Sequence, residues 1–208
     1  MDINDIKPLN FNTHSRVHSA NTHFSKAKVF IKREDELSFG ISGSKLRKYL
    51  YLVPALKHLG FDKIAIIGGR NSNNILGLFQ ILTEQGFPFC AFLSGDNQLE
   101  DSITNHHFLQ LFAPQEIYYF PRQQFNDALQ AAKEYQQQSQ EKVFILPEGG
   151  FTAWAIPGAM TLADDILTNS KHLNLNFDHI FIDSGTGCSA ASCLLRLQQN
   201  GFSGKVHI

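Results

Sequence analysis

Four short segments hold residue types that can do chemistry. The first is GISGSKLRK, residues 40–48, where Lys45 follows a Gly/Ser loop and opens a helix. A cation at that place is unusual, because the positive end of the helix dipole disfavours it. If water is also excluded, such a lysine has a depressed pKa and can attack a carbonyl to form an imine. Lys45, Arg47 and Lys48 also read as ordinary surface cations on a solvated first turn, and the segment taken alone favours that reading.

The second segment is GGRNSNN, residues 68–74, directly after the run KIAII. Gly68 and Gly69 permit a tight turn. Ser72, Asn73 and Asn74 then place hydrogen-bonding side chains at a helix N-terminus, where backbone N–H groups are also free. That nest suits a carboxylate or a phosphate. Ordinary N-capping by Ser or Asn is the competing explanation. The segment does not match G-x-G-x-x-G, which argues against a dinucleotide.

The third is DSGTGCSAAS, residues 183–192. Gly185 and Gly187 let the backbone approach a ligand closely. Thr186 and Ser189 add hydroxyls, and the next helix offers its N-terminus to an anion. The lysine of a Walker A loop is missing, so nucleoside triphosphate hydrolysis is not indicated. The fourth is PEGG, residues 147–150, whose glycines allow sharp turns and whose Glu148 could act as acid or base. The adjacent pair His106–His107 points to different faces of a helix, so no metal site is expected there. Cys90, Cys188 and Cys193 form no C-x-x-C pair, which argues against structural zinc and a disulfide framework.

The elements that must carry these loops are short apolar runs alternating with amphipathic segments. Residues 28–32, 63–67, 89–93, 116–120, 143–146 and 179–182 read as buried strands of a parallel sheet. Residues 72–85, 123–140 and 188–200 read as helices, the first and last ended by Gly86 and Gly201. This alternation predicts an α/β fold with a parallel sheet. GKVHI, 204–208, reads as the opening of a further strand, which suggests that something C-terminal is missing.

The 208 residues carry a net charge of −1 and are 43% hydrophobic, enough for a real core and too neutral for a basic nucleic-acid footprint. The acidic, polar start MDINDIKPLN has no apolar signal region. No run approaches the ~18 apolar residues of a membrane span. The longest apolar-leaning run, 149–163, is broken by Pro157. A cytoplasmic protein without nucleic-acid or membrane partners is expected.

The order of the pieces is more specific than any one of them. KREDELSFGISGSKLRK (32–48), then IIGGRNSNN (66–74), then SGTGCSAAS (184–192) resembles the 1-aminocyclopropane-1-carboxylate (ACC) deaminase and D-cysteine desulfhydrase family. The resemblance runs from about residue 25 to the end. It implies pyridoxal 5'-phosphate as cofactor and the tryptophan synthase β-like fold, fold type II of the pyridoxal-phosphate enzymes. By resemblance, Lys45 holds the cofactor as an internal aldimine and Lys48 is a second basic residue close to it. Asn73 lies near the pyridine hydroxyl, while Ser72 and Asn74 meet the substrate carboxylate and help proton transfer. Gly185, Thr186, Gly187, Cys188 and Ser189 form the phosphate loop. The implied reaction is deamination or elimination on a small amino acid, through an external aldimine, giving a 2-oxo acid and ammonia. A homodimer is the family's usual assembly.

Three departures stand out. Ser44 replaces a usual Asn before the lysine, Leu50 replaces a common Glu, and Asn74-Ile75-Leu76 replaces His or Gln followed by Thr-Arg. Family chains are also longer, and the group facing the pyridine nitrogen lies in their remainder. The expected division is an incomplete cofactor domain, 1–51 plus 151–208, and a small α/β domain, 52–150. A catalytically inactive relative that only binds pyridoxal phosphate or a small anion is the alternative.

Overall fold

The computed structural model describes residues 6–21, 27–37, 43–95, 104–111, 116–121 and 124–208. Its central feature is a four-stranded sheet in the order β5-β4-β3-β6. These strands are β3 (Lys63–Gly69), β4 (Phe89–Ser94), β5 (Ile117–Phe120) and β6 (Val143–Leu146), and every pair is parallel. Parallel pairing requires crossovers, and helices supply them. Helix α2 (Asn73–Glu84) joins β3 to β4, α3 (Asn105–Leu111) lies between β4 and β5, and α4 (Phe125–Gln138) joins β5 to β6. β3 and β4 are buried along nearly their whole lengths, as uninterrupted apolar runs in a covered sheet should be.

Helix α1 (Lys45–His58) is buried on almost every side, from Leu46 through Leu50 and again at Leu52, Val53, Ala55 and Leu56. It packs with α2 and with one face of the sheet in the largest apolar cluster. Ala128 and Ala132 of α4 cover the other face, against Ala65, Cys90 and Phe92. A third cluster joins α5 (Ile156–Leu173) to α6 (Cys188–Gln199) through Leu162, Ile166, Cys193 and Leu197.

Two expectations need correction. The run 28–32 forms β2 (Val29–Lys32), but β2 pairs antiparallel with β1 (Val17–Ala20) and is half exposed. It belongs to a two-stranded ribbon, not to the buried parallel sheet. The run 179–182 forms β7 (His179–Phe181), parallel to β8 (Lys205–His207) as the 204–208 pattern suggests. That sheet is not buried, and Phe181 is 77% exposed. Helix α5 was not foreseen. Pro157 occupies its first turn, where a missing N–H costs nothing.

All three cysteines are free and buried. Among the described residues no helix is long and apolar enough to cross a membrane.

Candidate functional site

A cavity of about 540 Å3 opens where β3, β6 and β7 end. Crevices beyond the carboxyl ends of parallel strands are where loops can converge on a ligand. Here the loops are residues 67–69 with Ser72 and Asn74, Glu148 with Gly149, and 180–190, and they meet Ser44, Lys45 and Lys48 of α1. Gly40–Ser42 of the first motif lie outside the described residues.

Three helices present their N-termini to this cavity, and none carries a side-chain cap. Helix α1 begins at Lys45 after Ser44, α2 at Asn73 after Ser72, and α6 at Cys188 after Gly187. The first N–H groups of a helix have no partner inside it. Left uncapped around one cavity, three such ends make an environment that favours anions. In 68–74 the same observation argues against simple capping by Ser72. Ser72 is the N-cap residue, but its hydroxyl makes no capping hydrogen bond and lines the cavity instead.

The cations of 45–48 are not surface charges. Arg47 is 1% exposed and Lys48 3%, while Lys45 is half-buried in the cavity wall. Burial lowers the pKa of Lys48, and the nearby Lys45 charge lowers it further against an opposing pull from Cys188. Lys48 Nζ donates to the Gly149 carbonyl. Gly149 has φ +68°, and a Cβ there would fall 2.3 Å from Thr186 Oγ1. Only glycine allows this close approach, so the 147–150 turn and the Thr186 loop are locked face to face, with Lys48 holding the turn from beneath.

Next to the cavity lies a charge cluster that explains the KRED motif. Lys32 Nζ donates to Asp165 Oδ2 at 2.5 Å and Asn169 Oδ1 at 2.7 Å. Arg47 grips Glu34 through Nε and Nη2, both at 2.8 Å, and reaches Asp165 Oδ2 at 2.8 Å. Ser15 Oγ donates to Glu34 at 2.6 Å, and the Ser15 N–H donates to Asp165 at 3.1 Å. Lys32 ends β2 and Glu34 opens the short 3-10 turn Glu34–Glu36, and both are largely shielded, while Arg33 and Asp35 pair at the surface. Burial alone would raise the Asp165 carboxyl. The Lys32 hydrogen bond, the Ser15 N–H and the Lys32 and Arg47 charges outweigh it and hold Asp165 below the usual carboxylate range. The cluster ties the N-terminal strand region, α1 and α5 together, and its Lys32 and Glu34 reach the cavity lining. Asp165 was not foreseen. It is one of two adjacent acids in α5, and only the tertiary arrangement tells which of them is buried and paired.

Of the residues expected at a site, Lys45, Lys48, Ser72, Asn74, Gly185, Thr186, Gly187, Cys188 and Ser189 line the one cavity. Asn73 does not. It is exposed, and its Oδ1 accepts from Asn105 Nδ2 of α3 at 2.5 Å. Glu148 is in the lining. His106 is buried, with Nε2 3.0 Å from the Tyr119 hydroxyl. Among the described residues no group of three or more His, Cys, Asp or Glu is gathered for a metal.

Comparison with known proteins adds to this geometry. No family model matches the chain. A D-cysteine desulfhydrase of Serratia proteamaculans is 28% identical over 180 residues, covering 83% of this chain and 53% of that protein. A putative 1-aminocyclopropane-1-carboxylate deaminase of Pyrococcus furiosus is 26% identical, covering 79% and 50%. The chain is similar to the ACC deaminase and D-cysteine desulfhydrase family. The crystal structure of an ACC deaminase homologue matches with a TM-score of 0.84 at 21% identity, over 98% of this chain and 62% of that one. A hydrogen sulfide-producing enzyme of Fusobacterium nucleatum matches with a TM-score of 0.70 at 17% identity. The fold is therefore the expected α/β fold of the tryptophan synthase β-like class. The chain spans about half the length of the curated relatives it matches.

Proposed function

We propose that this chain forms the cofactor and carboxylate-binding side of a pyridoxal-phosphate-dependent deaminase or lyase. Its substrate would be a small amino acid of the ACC or D-cysteine type, and its products a 2-oxo acid and ammonia. The observation that carries this reading is the convergence of three uncapped helix N-termini with Lys45 and Lys48 of α1 on one cavity. The relatives' names narrow the chemistry.

The residues present fit the cofactor. Its phosphate needs a cradle without side chains in the way, and a Cβ on Gly185 would meet nothing within 4 Å. The uncapped N–H groups at the start of α6 and the hydroxyls of Thr186 and Ser189 supply donors there. Lys45 would hold the aldehyde carbon. When bound, the pyridine ring would supply an electron sink for negative charge at the substrate Cα.

The other roles belong to the chain itself. Ser72, Asn74 and the first N–H groups of α2 would bind the substrate carboxylate. The Lys45 amine would carry a proton to or from the substrate Cα. Lys48, fastened to Gly149, would hold the 147–150 turn against the Thr186 loop and keep positive charge near the phosphate. Asn73 would reach the pyridine hydroxyl only by exchanging its bond to Asn105.

The proposal retains the two-part division, 1–51 plus 151–208 and 52–150, with the cavity between. The four-stranded sheet lying within 63–146 supports it, although α1 runs across the boundary at residue 51. A cytoplasmic location and a homodimer go with the same reading. Release of 2-oxo acid and ammonia from ACC or D-cysteine tests it, with Lys45→Ala as the control expected to be inert. Equal turnover by that variant would refute the role of Lys45.

A further inference from the structure

We infer that Tyr49 is a positioning residue for the substrate carboxylate, because its hydroxyl locks the Asn74 carboxamide with the amide nitrogen left for the cavity. The inference rests on the proposed function for the identity of the ligand, an α-amino acid with a free carboxylate.

Tyr49 is fully buried in α1, and its hydroxyl donates to Asn74 Oδ1. A carboxamide offers one acceptor oxygen and one NH2 donor group. With the oxygen turned to Tyr49, the NH2 group is the side Asn74 can offer to the cavity, which it lines. A donor at that place favours a carboxylate and disfavours an ammonium group. The ring itself has little freedom. A Cβ on Gly150 would lie 3.3 Å from Tyr49 Cε1 and 3.4 Å from its hydroxyl, so the 147–150 turn presses on the ring from another side. Burial also raises the Tyr49 pKa, which keeps its proton in place across the neutral range. Neither Asn74 nor its neighbours Ile75 and Leu76 follow the family's usual pattern at this helix start. A short Asn needs its orientation fixed from behind, and Tyr49 does that.

The test is a double-mutant cycle on carboxylate binding. Protein labelled with 15N, with pyridoxal phosphate added, is titrated with D-alanine, which has the carboxylate and amine but no leaving group on Cβ. Dissociation constants are read from the backbone amide shifts of residues 72–74 in wild type, Tyr49→Phe, Asn74→Ala and the double variant. Tyr49→Phe should weaken binding about fivefold, the size of one lost neutral hydrogen bond. Asn74→Ala should weaken it at least as much, and the double variant no further than Asn74→Ala. Wild-type affinity in Tyr49→Phe, or effects that multiply in the double variant, would overturn the inference. Should Tyr49→Phe not fold, the Asn74 side-chain NH2 resonances of the wild type decide, because they must move with D-alanine and an unmoved pair overturns the claim.

The visible absorbance of the lysine-linked cofactor, recorded on the same samples, reads the proposed function separately. Its absence with the Tyr49–Asn74 coupling intact would sink the deaminase reading and leave the positioning role. Its presence with independent effects would sink the positioning role alone.

Discussion

At Gly149 a backbone torsion and a side-chain contact make the same demand. With φ at +68° and Thr186 Oγ1 2.3 Å from where a Cβ would sit, Gly149→Ala must strain the turn and push the Thr186 loop aside. A cost of roughly 1–3 kcal/mol is expected. It should appear as a lowered thermal midpoint together with weaker retention of pyridoxal phosphate. Adding Thr186→Ala should recover part of the loss, since it removes the nearest atoms but not the torsion. An unchanged midpoint would show that the two loops are not locked together. Single residues were also where the sequence was most and least legible. That Lys45, Ser72, Asn74 and the loop 185–189 gather at helix starts was legible, because loops that lead into helices have few places to put their polar groups. The outward turn of Asn73 could not. Adjacent helical residues diverge, and the Asn105 that captures its side chain lies on another helix.

The cluster of Lys32, Glu34, Arg47 and Asp165 joins separate elements, and its energetics are those of buried ion pairs. Removing one partner leaves the others uncompensated, which costs about 3–5 kcal/mol. Arg47→Met should therefore lower stability strongly in chemical denaturation, although Arg47 stands two residues from Lys45 and lines no part of the cavity. A small effect would mean that the cluster contributes little to the fold. The pH dependence follows from Asp165. Its pKa is lowered in the folded state, so its stabilisation is present above the unfolded value and fades as pH falls through the folded one. Thermal midpoints should drop below about pH 4, near the unperturbed Asp value. Asp165→Asn should start lower and depend less on pH in that range. An identical acid limb in both proteins would refute the assignment.

The KRED motif was visible as a pattern before its purpose was. Lys32 ends the strand and Glu34 opens the turn after it, and their partners on α1 and α5 are set by the tertiary fold. The strand at 28–32 was read correctly as a strand and wrongly as buried, because a three-residue apolar run looks the same in a core and in a half-exposed ribbon. Its partner VHSA, 17–20, is too short and polar to read as a strand without it.

Over the whole molecule, the site depends on how closely α1 and α5 approach. A Cβ on Gly158 would lie 2.0 Å from the Arg47 carbonyl oxygen, so the two helix backbones touch where α1 carries its lysines. Gly158→Ala must part them. Overpacking of this kind costs about 1–3 kcal/mol, and it should also disturb Lys45 and Lys48, which flank the contact residue Arg47 in the first turn of α1. A variant with normal stability and normal cofactor retention would contradict this coupling. The alternation of strands and helices made the α/β class legible. The convergence of three helix ends was not legible, because it is a property of the sheet order β5-β4-β3-β6 and of the packing of α5 and α6, which no local pattern records.

The most direct test of the account is the absorption spectrum of the protein after pyridoxal phosphate is added and the excess removed, recorded beside Lys45→Ala. The account predicts a visible band from lysine-linked cofactor in the wild type and its loss in the variant, with both proteins folded. A folded wild type without the band, or a variant that keeps it, would contradict the assignment of this cavity as a pyridoxal-phosphate site built on Lys45.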